Sequence, residues 1–318
     1  MSKIKKYFYG PVPSRRLGRS LGLDISPFKT CSLDCVYCQL GHTPKKTIRR
    51  KSCVPVHHIT EELKKIISTG PSADYITISG SGEPTLNTDL AEIIKNIKNI
   101  TKIPVAIITN STLMYRRDVR KDCALADLLL PSLDAGDENT FRKINRPHRN
   151  ISIEKLINGL SAFRKEFNGP IWLEVFLIQG FNTSKEQLKN IKRAVKKIRP
   201  DKIQLNTAVR PAALPYIRPL SKQKLRDIAK MFWPNAEVIA DFKAVREGKH
   251  TLVTQQNILA MLKRRPCSIK DIASALGCNP AQVSKSLADM RKKGLLRTMV
   301  TNGITFFSIA ENSHKLRP

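Results

Sequence analysis

Six short apolar runs alternate with amphipathic segments between residues 20 and 205, and nothing else in the chain restricts its fold as strongly. The runs occupy 20–25, 75–78, 105–108, 128–130, 171–177 and 203–205. Between them, apolar residues recur three and four apart: Leu63, Ile66 and Ile67; Leu90, Ile93, Ile94 and Ile97; Ile153, Leu156, Leu160 and Phe163; Leu188, Ile191, Val195 and Ile198. That spacing lays an apolar stripe along one side of a helix. Short strands joined through helices run parallel, with the helices packed outside the sheet. About six such units fall short of the eight that close a full barrel. The expected fold is therefore α/β, a partial (βα)6 barrel over residues 1–250. Leu225, Ile228 and Phe232 mark its last helix, and 237–241 an added strand.

Ahead of the first run, the segment 10–19 holds Pro11 and Pro13, which forbid a helix, and it is expected to be irregular. Its Arg15, Arg16 and Arg19 suit a phosphate or carboxylate. The first run leads directly into Cys31, Cys35 and Cys38, a C-x3-C-x2-C triplet. Three thiolates so close in sequence converge on one metal centre only if the backbone loops around it. A structural zinc takes four protein ligands, so Cys53 or His42 would have to complete it. A [4Fe–4S] cube held by three cysteines leaves one iron open to a small molecule. The triplet's place at the carboxyl end of a strand is where parallel α/β sheets bind ligands.

The later strands also end in polar or glycine-containing residues. The turn 79–85, Ser-Gly-Ser-Gly-Glu-Pro-Thr, carries Gly82, which permits close backbone approach, and Glu83, a carboxylate suited to a ligand ammonium. Thr109, Asn110 and Ser111 follow the next strand, then Ser132 and Asp134, then Gln179 and Asn182, then Asn206. Taken singly, each suits a cap or turn; together they describe a site along one rim. The proline-rich run from 211 to 219 is expected to loop over the barrel mouth, with Arg210 facing an anionic substrate.

From 254 the pattern changes to three short helices and a hairpin. Ile258, Leu259 and Leu262 face inward on the first. Ser268 caps and Gly277 stops the second, and Asn279-Pro280 opens the third. Asn302-Gly303 is a hairpin turn signal. The pattern resembles a winged helix-turn-helix over 254–318. Eleven Lys/Arg stand there against three acidic residues, a net +8. The whole chain carries +30, which favours polyanionic partners such as RNA or DNA. A composition of 41% hydrophobic and 26% charged residues is that of a soluble globular protein, with no apolar run long enough to span a bilayer. The first six residues lack the apolar stretch of a signal peptide, and seven scattered cysteines do not suggest a disulfide framework. A reducing cytoplasm is the expected compartment.

With the aromatic Tyr37 ahead of its last cysteine, the triplet resembles the signature of the radical S-adenosylmethionine (SAM) enzymes. Glu83-Pro84 after Gly82 is similar to their Gly-Glu-Pro element, with Ser81 in place of the first glycine. The text of residues 10–17, 27–31 and 37–41 is close to a group related to the wyosine-forming tRNA synthases. The resemblance implies a [4Fe–4S] cluster on Cys31, Cys35 and Cys38, with SAM contacted by Tyr37, Gly82, Glu83, Asn110, Ser132, Asp134 and Asn206. It implies an oxidoreductase or transferase that cleaves SAM to a 5′-deoxyadenosyl radical, an electron donor such as flavodoxin or ferredoxin, and a nucleic-acid substrate such as tRNA. A cluster- or SAM-sensing DNA-binding regulator is the alternative. No cysteine precedes Cys31, whereas the wyosine synthases draw on additional cysteines for a second cluster, so the tricyclic base is not an expected product.

Overall fold

The computed structural model describes residues 7–214, 216–232, 234–240 and 254–310. The segment 10–19 is not irregular. Phe8–Ser14 forms β1, antiparallel to β2 (Gly18–Leu23), with a register shift between Tyr9 and Val12. Pro11 and Pro13 are tolerated because β1 is the outermost strand of its sheet, where one side of the backbone needs no ladder partner.

The βα alternation then follows in order. It comprises α1 (Val56–Ser68), β3 (Tyr75–Ile78), α2 (Leu90–Ile100), β4 (Val105–Thr109), α3 (Arg117–Cys123), β5 (Leu128–Pro131), α4 (Glu138–Asn145), α5 (Ile153–Glu166), β6 (Trp172–Leu177), α6 (Lys185–Ile198), β7 (Lys202–Thr207), α7 (Lys222–Met231) and β8 (Ala236–Val238). Strands β2 to β5 pair in parallel, as do β6 to β8. Two isolated parallel bridges, Leu129 to Ile171 and Ser132 to Glu174, join the two sheets into one curved wall. The added strand expected over 237–241 is β8 at Ala236–Val238, paired in parallel with β7; Asp241 lies outside the described residues.

Both sides of this wall are buried, the outer one apolar and the inner one mixed, with Thr77, Glu174, Gln204 and Asn206 among its buried residues. One pleat face, with Ile76, Ile107, Leu129, Leu173 and Leu205, packs on helix residues such as Leu63, Leu90, Leu160 and Ile191. The other places Leu17, Ala106, Leu128 and Leu130 together inside the curve. Arg15 spans the opening between the edge strands, donating from Nη1 to the carbonyls of Ile239 and Ala240 just after β8, at 3.2 and 3.4 Å.

The C-terminal segment forms α8 (Gln255–Leu262), α9 (Ile269–Leu276), α10 (Pro280–Lys292), β9 (Leu296–Thr301) and β10 (Ile304–Ile309). Ser268 closes a capping box with Asp271, Gly277 takes the left-handed conformation at φ 63°, and Asn302 and Gly303 turn the hairpin at φ 51° and 75°. Its core, built from Ile258, Leu262, Ile272, Val283, Leu287 and Phe307, is separate from that of the barrel. The segment nevertheless docks on the barrel: α9 packs against β1, and the Arg264 guanidinium lies 3.8 Å from the centre of the Tyr9 ring.

Candidate functional site

The cysteine loop leaves the carboxyl end of β2 and is clamped from several sides. The backbone N–H groups of Asp34 and Val36 donate to the carbonyls of Asn145 and Ile144 at the end of α4. That of His148 donates to Ser32, and that of Thr47 to Cys31. The glycine turn after β3 is tied to the loop by two reciprocal bonds, Lys29 N to Ser81 O at 2.7 Å and Glu83 N to Thr30 O at 2.9 Å. A Cβ on Gly82 would stand 2.4 Å from the Thr30 oxygen, so the two loops can close only on a glycine.

Each sulfur of the triplet accepts a hydrogen bond from a different element. Asn110 Nδ2 donates to Cys31 Sγ at 3.3 Å, Asn145 Nδ2 to Cys35 Sγ at 3.4 Å, and Lys29 Nζ to Cys38 Sγ at 3.2 Å. Burial, with Glu83 nearby, pushes the Cys31 thiol up to about 12, and burial beside Asp134 raises Cys35 well above its ordinary value. A bound cation reverses that preference by stabilising the thiolate directly. Among the described residues no three His, Cys, Asp or Glu side chains already enclose one point. The two residues that a zinc site would need are otherwise engaged. His42 Nδ1 meets Asp34 at 2.9 Å on a largely exposed side chain, and Cys53 Sγ donates to the Lys51 carbonyl at 3.3 Å. Three thiols with an N–H donor on every sulfur suit an iron–sulfur cluster, whose sulfurs are stabilised by such bonds.

Three of the polar tips, Asn110, Ser132 and Asp134, line one small cavity of about 10 Å3, room for a single water, with Tyr37 of the cysteine loop and Asn145. The Tyr37 ring stacks on Phe176 at 4.0 Å between centroids, and its hydroxyl donates to Asp134. Asp134 also accepts from Asn145 Nδ2 at 2.7 Å and from Phe176 N at 3.0 Å. Burial pushes its carboxyl up to about 6, with the Tyr37 and Asn145 bonds opposing. Glu83 reaches the same group through its Oε2, which accepts from Asn110 N at 2.8 Å. Its Oε1 accepts from Thr85 N, Thr85 Oγ1 and Thr109 Oγ1, so much of the carboxylate is used in shaping the rim.

Asn206 belongs to a second cluster. It donates to Glu174 Oε1 at 2.8 Å and accepts from Arg15 Nη1 at 3.1 Å, while Arg16 pairs with Glu174. Burial would raise the Glu174 carboxyl, but Arg16, Asn206 and Arg15 outweigh it and hold the group low. Arg210 does not face the mouth. Its guanidinium is buried against Asp271 of α9 at 3.0 Å, because the proline-rich loop turns it toward the docked C-terminal segment. Lys29 and Asn145 were not singled out by sequence reasoning. The lysine beside the triplet reads as a solvated charge, and Asn145 comes from a helix with few apolar positions.

Residues 25–200 match the family model described as the radical SAM superfamily. The chain belongs to the radical SAM superfamily. Its members use a [4Fe–4S] cluster and SAM. Residues 253–298 match the model described as bacterial regulatory protein, arsR family, in agreement with the helix-turn-helix arrangement of α9 and α10. The radical SAM chain is 34% identical to the UPF0026 protein MJ1312 of Methanocaldococcus jannaschii, over 94% of each chain. It is 40% identical over 97% of its length to a protein of Brachyspira hyodysenteriae named GTPase Obg, of which it spans only 46%. Streptococcus suis SuiB bound to SAM shares the fold at a TM-score of 0.52 and 16% identity, covering 69% of this chain and 50% of SuiB.

Proposed function

We propose that Cys31, Cys35 and Cys38 hold a [4Fe–4S] cluster and that the rim around Gly82, Glu83, Asn110, Ser132 and Asp134 receives SAM. One observation carries this reading: the triplet loop and the glycine turn close on each other at the carboxyl ends of adjacent parallel strands, with an N–H donor on every sulfur. When bound and reduced, the cluster supplies the electron that cleaves SAM to methionine and a 5′-deoxyadenosyl radical, which takes hydrogen from the substrate. The chain's own residues orient and enclose. Glu83 fixes the backbone of Asn110 and the hydroxyls of Thr85 and Thr109. The Tyr37–Phe176 stack, held by Asp134, offers a rigid aromatic wall. Arg15, Arg16, Glu174 and Asn206 form a second polar cluster in the barrel. Anaerobically reconstituted protein given dithionite and SAM is expected to release 5′-deoxyadenosine. Protein holding iron and sulfide without that release would sink the proposal.

Gly82→Ala tests the closure of the two loops. The added Cβ forces the Thr30 carbonyl away, an overpacking of about 1–3 kcal/mol. Iron content is expected to persist while SAM binds at least about tenfold more weakly by calorimetry. Unchanged affinity would show that this turn is not part of the cofactor site.

We further infer a nucleic-acid substrate, within the group related to the wyosine-forming synthases though with another product. The support is the net charge of +30 and the exposed Lys285, Arg291, Lys292 and Lys293 on and just beyond α10. A division at 250 and 254, a reducing cytoplasm and a flavodoxin- or ferredoxin-class donor accompany this reading. Among the described residues no helix is long and apolar enough to cross a membrane. The match of 253–298 to arsR-family regulators favours a second reading, a cluster- or SAM-sensing DNA-binding regulator. A sharp duplex footprint that changes with cluster state would favour the regulator; salt-sensitive tRNA binding without DNA specificity favours the enzyme.

A further inference from the structure

Lysine is rarely buried without a partner, yet Lys29 exposes only 7% of its surface. Its Nζ meets two acceptors, Cys38 Sγ at 3.2 Å and the Gly41 carbonyl at 2.5 Å, and no carboxylate pairs with it among the described residues. Its backbone is also held in the left-handed region at φ 57°, which costs a residue with a Cβ roughly 1 kcal/mol or more. The bond from Lys29 N to Ser81 O maintains that conformation and so fixes where the side chain starts. A strained, buried, unneutralised cation aimed at a sulfur is expensive for stability alone, and its counter-charge has to come from the sulfur side. The donors on the other two sulfurs, Asn110 and Asn145, are neutral amides.

We propose that Lys29 sets the reduction potential of the cluster held by Cys31, Cys35 and Cys38, an assignment that rests on the function proposed above. A reduced cluster carries one more negative charge than an oxidised one. A charged N–H donor on a coordinating sulfur stabilises that added charge more than a neutral donor does, and thereby raises the potential. Its ammonium acts through Cys38, so Lys29 is a positioning residue for charge and not a ligand.

EPR-monitored redox titration of anaerobically reconstituted full-length protein tests the assignment. Lys29→Met and Lys29→Gln are expected to shift the oxidised-to-reduced equilibrium at least tenfold toward the oxidised form, about 59 mV lower for one electron. Lys29→Arg, which keeps charge and donor, is expected to stay closer to wild type than either. If the methionine variant does not retain its cluster, the glutamine variant, which keeps a neutral N–H donor, decides. A wild-type cluster whose potential neither variant lowers would overturn the role of Lys29 alone. Wild-type protein that assembles no [4Fe–4S] cluster would overturn the underlying assignment of the three cysteines, and this one with it.

Discussion

Cys35→Ala is expected to reduce 5′-deoxyadenosine release to the protein-free background. Iron and sulfide should fall from about four each per chain to well below that in the reconstituted protein, because two thiolates are too few to anchor a cube. The same loss is expected for Cys31→Ala and Cys38→Ala. Folding should survive, since the loop is held by backbone bonds to Ile144, Asn145 and His148 that do not involve the sulfurs. Far-UV circular dichroism close to wild type separates loss of ligand from loss of fold. Cys53→Ala is the informative control. In a zinc site completed by Cys53, its removal releases metal. In the cluster reading it lies outside the site, donating to the Lys51 carbonyl, and its removal leaves iron content unchanged. Iron retained by Cys35→Ala, or lost by Cys53→Ala, would contradict the assignment.

The barrel was readable in the sequence because its strands and helices announce themselves by period. Leu90, Ile93, Ile94 and Ile97 can form only one apolar stripe, and all four are buried in α2. Strand β1 was hidden because its prolines and glycine weaken strand propensity, and only its position at the sheet edge makes them acceptable. Helix α4 carries no such period: Phe141 and Ile144 are its only large apolar residues. Yet α4 delivers Asn145 to Cys35 and Asp134, so the same gap hid a residue of the site. The polar tips were legible as a group because parallel strands bring all their carboxyl ends to one rim. Their division was not. Whether Asn206 joins Asp134 or Glu174 depends on which side chains reach it inside the barrel, here Glu174 and Arg15, which spacing in one chain does not encode. The partner of Arg210 was equally out of reach, since Asp271 is 61 residues away and depends on how the C-terminal segment docks.

That docking rests on a buried ion pair between the two parts. The Arg210–Asp271 pair is almost fully shielded, with side chains 2% and 7% exposed. Asp271 serves twice, because its Oδ2 also accepts from Ser268 N and Oγ and closes the cap of α9. Asp271→Ala leaves the Arg210 guanidinium buried without this carboxylate, a change that typically costs about 3–5 kcal/mol, and removes a cap worth about 1 kcal/mol. Hydrogen exchange is expected to quicken in α9 and in β1, the strand on which α9 packs, while β4 and β5 keep their protection. The pH dependence has a defined sign. Burial alone would raise the Asp271 carboxyl, but Arg210 and the Ser268 backbone bond outweigh it and hold the group below its ordinary value. Its contribution is therefore complete above about pH 4 and is lost as pH falls through the depressed folded value. The difference in stability between wild type and Asp271→Ala should stay constant from about pH 5 to 8 and shrink only in more acid solution. If β1 exchanges at the wild-type rate in Asp271→Ala, the C-terminal segment is not held to the barrel through this pair. The contact of Arg264 with Tyr9 would then have to account for the docking.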